Sequence, residues 1–98
     1  MLSGKQVRDD LKEIRYYYSM QQLFTDFSKV VMPAAILEKV KKYNAAAENA
    51  PARMYIVYIS LYINNNSQAT LAEEWGFTRE YVRDLNQKLV AFFQKAFN

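Results

Sequence analysis

Glycine and proline each occur only twice in this 98-residue chain, at Gly4, Gly76, Pro33 and Pro51. Sheet proteins turn often, and tight turns draw heavily on those two residues. So few breakers leave long stretches in which nothing interrupts a helix, and the breakers themselves mark the expected joints. Half of the chain is apolar (51%), enough for a core without disulfides or metal. No segment alternates with the period of a strand. The expected class is an all-α bundle of four to six helices.

The joints divide the chain readably. A first helix should open near Ser3 or Gly4, with Val7, Leu11, Ile14 and Tyr18 on one face. The stripe then slips to Met20, Phe24, Phe27 and Val31, which predicts a bend or a break near Ser19. Pro33 stops what precedes it and suits the first position of the next helix. That helix carries Ile36, Val40, Tyr43 and Ala47 inward and Lys39, Lys41 and Lys42 on a basic side. From about Pro51 to Ile63 the chain is apolar nearly all round, as expected of a helix in the middle of a fold. Asn66 or Ser67 can cap a short helix, Gln68 to Trp75; Gly76 breaks it, and Thr78 caps the last helix, which runs to about Ala96. Its expected inner stripe is Val82, Leu85, Leu89, Phe92 and Ala96. Residues 1–48 form an N-terminal pair for packing or dimerisation, and 51–98 a second unit; together they are expected to make one compact domain.

Composition excludes several classes of function. With no cysteine and no histidine, thiol chemistry, zinc sites and the usual general base are missing. Glu73 with Glu74, and Asp9 with Asp10, are sequence neighbours that point to different sides of a helix, so they make poor acid–base or metal pairs. There is no phosphate-binding glycine loop. No enzyme, metal or cofactor is expected. The longest apolar run, Met54 to Ile63, is too short to span a bilayer, and the first residues lack the apolar stretch of a signal peptide. A cytoplasmic protein without membrane contact is expected.

The informative segment is Gln68 to Leu85. A helix-turn-helix needs a small residue where two helices cross and a positive-φ residue four places on; Ala72 and Gly76 stand there. Leu71, Trp75, Phe77, Val82 and Leu85 fall where apolar residues must close the pair. Thr78, Arg79, Glu80, Arg83, Asp84 and Gln87 are left facing outward as candidate DNA-binding residues. In a major groove, arginine can fork onto guanine, glutamate can accept from cytosine N4, and Thr78 with the helix start suits a phosphate.

Gly76–Phe77–Thr78–Arg79–Glu80–Tyr81–Val82–Arg83 resembles the region 4 helix-turn-helix of sigma-70-type sigma factors. Pro51–Ala52–Arg53, with Val57, Leu61 and Tyr62, is similar to the helix before that motif. The resemblance covers about residues 51–92 and implies that Arg79 and Glu80 read bases while Arg83 holds a phosphate. Asp84 and Tyr81 depart from the family's usual glutamine and arginine, and nothing corresponds to the DNA-melting region 2. The chain therefore looks like the small region-4-like regulators of phages and prophages, the ArpU- and RinA-like group.

The expected function is sequence-specific double-stranded DNA binding in transcription regulation, with RNA polymerase a candidate second partner. Two alternatives stand beside it: a helical protein–protein module of the polymerase-binding or anti-repressor type, and a small-terminase-like DNA-recognition subunit. Net charge is +3, but 67–98 is neutral, with Arg79, Arg83, Lys88 and Lys95 against Glu73, Glu74, Glu80 and Asp84. Lys39, Lys41, Lys42 and Lys88 are therefore candidate phosphate contacts. Phe92, Phe93 and Phe97 exceed what one stripe needs, and a second half-site is commonly supplied by a second subunit; a homodimer is expected.

Overall fold

The computed structural model describes residues 2–23 and 33–98, with the backbone alone at Leu23. The stripe positions Phe24, Phe27 and Val31 lie outside the described residues. Among those described, five helices and no strand form a bundle: α1 (Gly4–Leu23), α2 (Ala34–Ala47), α3 (Ala52–Tyr58, continuing as a π turn over Ile59–Ile63), α4 (Gln68–Trp75) and α5 (Arg79–Ala96). None is long and apolar enough to cross a membrane.

Helix α1 starts on a capping box. The Ser3 hydroxyl accepts from the Gln6 N–H at 3.1 Å, and the Gln6 side chain accepts from the Ser3 N–H at 2.7 Å. Val7, Leu11 and Ile14 are buried as their spacing predicts. The helix runs unbroken through Ser19, so the slip in the apolar pattern produces no break there. Tyr16 is 55% exposed, and its neighbours Tyr17 and Tyr18 are half-buried.

Each proline stands one place earlier than expected. Pro33 and Pro51 are N-cap residues, with φ of −57° and −53° that suit a helix but ψ of 139° and 146° that do not. The ring restricts φ alone, so the extended ψ leaves each proline just outside its helix.

Helix α3 packs along α5, whereas its π turn packs on α1. In that turn Asn64 N–H reaches back to Ile59 O at 2.8 Å, and Asn66 N–H closes onto Ser60 O at 2.9 Å. Ser60 is the buried polar residue among the described residues; Asn66 Nδ2 donates to its hydroxyl. The Asn64–Asn66 break thus folds back over the π turn, and Asn65 takes the left-handed conformation (φ 60°) that asparagine tolerates better than most residues. Its side chain accepts from Arg15 Nε of α1.

On α5 the inner stripe is Val82, Leu85, Leu89, Val90 and Phe93. Phe93, not Phe92, is fully buried, and Ala96 is exposed. The 3.6-residue period explains the shift, since eleven residues after Val82 complete three turns. Tyr43 from α2 and Tyr58 from α3 meet Phe93 at ring-centroid distances of 4.7 and 5.5 Å, and Phe97 and Phe92 lie against it at 5.8 and 5.7 Å. The three phenylalanines therefore close the molecule's own core, which removes the reason they gave for a second subunit.

Polar partners hold this core in register. Tyr43 donates to Asp10 (2.7 Å), Tyr58 donates to Asn44 (2.6 Å), Asn44 donates to Tyr18 (2.9 Å), and Tyr62 donates to Asn86 (2.6 Å). Burial pushes the phenols of Tyr43, Tyr58 and Tyr62 above the usual tyrosine range, and the Asp10 carboxylate pushes Tyr43 further. Lys39 bridges Asp10 (3.1 Å) and Glu13 (2.7 Å), and Glu13 followed by Asp10 raises its pKa.

Candidate functional site

The corner between α4 and α5 is built by short-range rules. Ser67 caps α4, its hydroxyl accepting from Thr70 N–H at 3.0 Å. Helix α4 ends in a Schellman turn: Phe77 N–H reaches Ala72 O at 2.8 Å and Gly76 N–H reaches Glu73 O at 3.4 Å. Gly76 sits at φ 67°, ψ 27°. A Cβ added there would meet nothing within 4 Å, so the backbone angle alone asks for glycine. Two residues later Thr78 caps α5, its hydroxyl accepting from Tyr81 N–H at 3.1 Å. That bond uses a lone pair of Thr78 Oγ1 and leaves its proton to donate elsewhere.

Leu71, Ala72, Val82 and Leu85 are buried at the corner, as the spacing predicts. Trp75 departs from expectation and is 51% exposed. It is the last residue of α4, where the chain turns away, and the Phe77 ring lies beside it, at 6.3 Å.

Thr78, Arg79, Glu80, Arg83, Asp84 and Gln87 are all exposed. At about 100° per residue, Glu80, Asp84 and Gln87 form the ridge furthest from the core, and Arg79 and Arg83 lie together on one flank, one turn apart. Asp84 pairs with Lys88 at 3.2 Å, each partly offsetting the other's charge. Arg79 and Arg83 have no acidic partner among the described residues. Like charges at i, i+4 are mildly destabilising, so the fold gains nothing from this pair.

Arg53 enters the motif only as part of Pro51–Ala52–Arg53, with no site role, yet it belongs to this corner. From the first turn of α3 its guanidinium donates to the Tyr81 hydroxyl and lies 5.7 and 5.6 Å from the centres of the Phe77 and Tyr81 rings. It thereby places a third arginine at the N-terminal end of α5, on the flank opposite Arg79. Its signal in the sequence was faint: the single charge between residues 49 and 66.

The α2 lysines lie elsewhere. Lys39 is held by its two carboxylates, and Lys42 sits 4.2 Å from the Phe97 ring. Phe97 is eighteen residues beyond Arg79, about 27 Å along the helix axis. Lys41 is exposed on the same helix as Lys42. Among the described residues no group of three acidic side chains could hold a metal ion.

No protein-family model matches the chain, and no similar curated protein or solved structure was found.

Proposed function

We propose that the chain is a sequence-specific double-stranded DNA-binding regulator of transcription, in which α4 and α5 act as a helix-turn-helix and the first turns of α5 enter the major groove. The observation that carries this reading is the unpartnered pair Arg79 and Arg83, exposed one turn apart at the start of a helix otherwise anchored in the core. The N–H groups of Arg79 and Glu80 have no carbonyl behind them in the helix and add a dipole that favours phosphate. Glu80 on the ridge is an acceptor suited to cytosine N4. Arg53 supplies a cation for the backbone on the other flank.

Affinity of a single chain should be weak and strongly salt-dependent, because only a few phosphates are neutralised. Selection of bound fragments from random duplex DNA, followed by a gel-shift titration at low salt, tests the reading. Retardation is expected. Arg79→Ala with Arg83→Ala should reduce it at least tenfold with helicity unchanged, since each good arginine–base pair is worth about 1–3 kcal/mol. No retardation at low salt, or equal binding by the double variant, overturns the proposal.

A further inference from the structure

Helix α3 turns a third face to the outside, and that face is apolar too. Ala52, Tyr55, Ile56, Ile59 and Ile63 recur along it at helical spacing, and Trp75 from the end of α4 stands at its rim. Three adjoining hollows open over this stripe, and Tyr55 lines all three. The one nearest α4 encloses about 240 Å³ between Tyr55, Ile56, Ile59 and Trp75. Tyr55 is 39% exposed and Trp75 51%. Tyrosine and tryptophan are the side chains that most often dominate the binding energy of a protein interface.

Charge narrows the choice of occupant. Glu48 lines the hollow over Ala52 and the one that reaches Ile63, and Glu74 lines the hollow beside Asn64 and Asn66. Neither carboxylate has an ion-pair partner among the described residues, and no lysine or arginine lines any of the three hollows. From Ala52 to Ile63 the stripe is about 17 Å long, or three helical turns.

We infer that this face docks an amphipathic helix of another protein, about three turns long, with an apolar stripe flanked by lysine or arginine. A second copy of this chain fits less well. An isologous pair would set Glu48 and Glu74 of one copy against the same carboxylates of the other. Nucleic acid is repelled by the same two groups. The inference therefore stands apart from the DNA-binding reading and survives its failure.

Trp75 is the single tryptophan of the chain, so its emission reports directly on the groove. The probes are two synthetic peptides of about three turns with identical leucine stripes, one flanked by lysine and one by glutamate. The lysine-flanked peptide should shift Trp75 emission to shorter wavelength and bind roughly tenfold or more tighter than its twin. Glu48→Lys with Glu74→Lys should reverse that preference with helicity unchanged. The inference is overturned by no response to either peptide, or by equal responses to both. It is also overturned by a doubling of solution mass with a Trp75 shift when the protein alone is concentrated, which would assign the face to a second copy.

Discussion

The guanidinium of Arg53 and the hydroxyl of Tyr81, 28 residues apart in sequence, are hydrogen-bonded across the gap between the first turn of α3 and the first turn of α5. The bond ties the helix that presents Arg79 and Arg83 to the helix that packs along it. Tyr81→Phe removes the acceptor and keeps both ring contacts; it should cost roughly 0.5–1 kcal/mol in urea unfolding. Arg53→Ala removes the cation–ring contacts as well and should cost about 0.5–1 kcal/mol more. Equal losses in the two variants would mean that the rings contribute nothing.

Gly76→Ala should destabilise by about 1–2 kcal/mol, because a side chain at φ 67° is strained although nothing stands in its way. Gly76→Asn should cost less, since asparagine visits that region more readily. The order of the two midpoints in urea is the test. If alanine is tolerated as well as asparagine, the turn does not hold the conformation described.

The two caps should behave alike. Ser67→Ala and Thr78→Ala each remove one side-chain acceptor from a helix start, at a cost of about 1 kcal/mol each. The Thr78 variant should in addition weaken retardation of duplex DNA, and the Ser67 variant should leave it unchanged once both proteins are compared at matched folded fraction.

The inner stripe of α5 can be checked by truncation. Phe93→Ala should cost about 3–5 kcal/mol, the usual range for a buried phenylalanine. Phe92→Ala should cost clearly less, because Phe92 is only half-buried. The reverse order in thermal or urea unfolding would restore the stripe that spacing alone predicted.

Alkali should unfold the protein. Tyr43, Tyr58 and Tyr62 have pKa values raised in the fold, and so does Lys39. A raised folded-state value means that the unfolded chain releases the proton first, so the stabilisation is complete below the ordinary tyrosine and lysine values near 10 and declines above them. Each phenol that keeps its proton only in the fold removes about 1.4 kcal/mol per pH unit in that range. Helicity followed by circular dichroism should be flat from neutral pH to about 9.5 and fall cooperatively above about 10. The phenolate absorbance of Tyr43, Tyr58 and Tyr62 should appear only with the loss of helix; ionisation of these three before it would contradict the burial described.

What could be read ahead of the structure was local. The capping residues Ser67 and Thr78, the break at Gly76 and the α1 stripe of Val7, Leu11 and Ile14 each depend on residues within a turn or two. The Ser3–Gln6 capping box is legible in the same way. Relationships across helices were not legible. Lys39 reads as one of three solvated lysines until α1 brings Asp10 and Glu13 against it. Phe92 and Phe93 are adjacent: the helical period counted from Leu85 points to Phe92 and counted from Val82 to Phe93, and the packing of Tyr43 and Tyr58 settles it for Phe93. The outward positions Arg79, Glu80 and Arg83 were legible as exposed, whereas Arg53 needed the packing of α3 on α5 to reach them.

Helix α3 was readable as central but not as to which side faced what, and its π turn is the reason. The regular part lies on α5 and the π turn on α1, so no single stripe serves the whole helix. Five residues there occupy what an ordinary turn would fill with about four. Straightening the π turn into an α-helix with all five residues kept would rotate every later side chain by about 100°, swinging the residues beyond Ile63 away from their present neighbours and leaving Val57 where it is. Two halves of the molecule are thus kept in step by the width of a single turn.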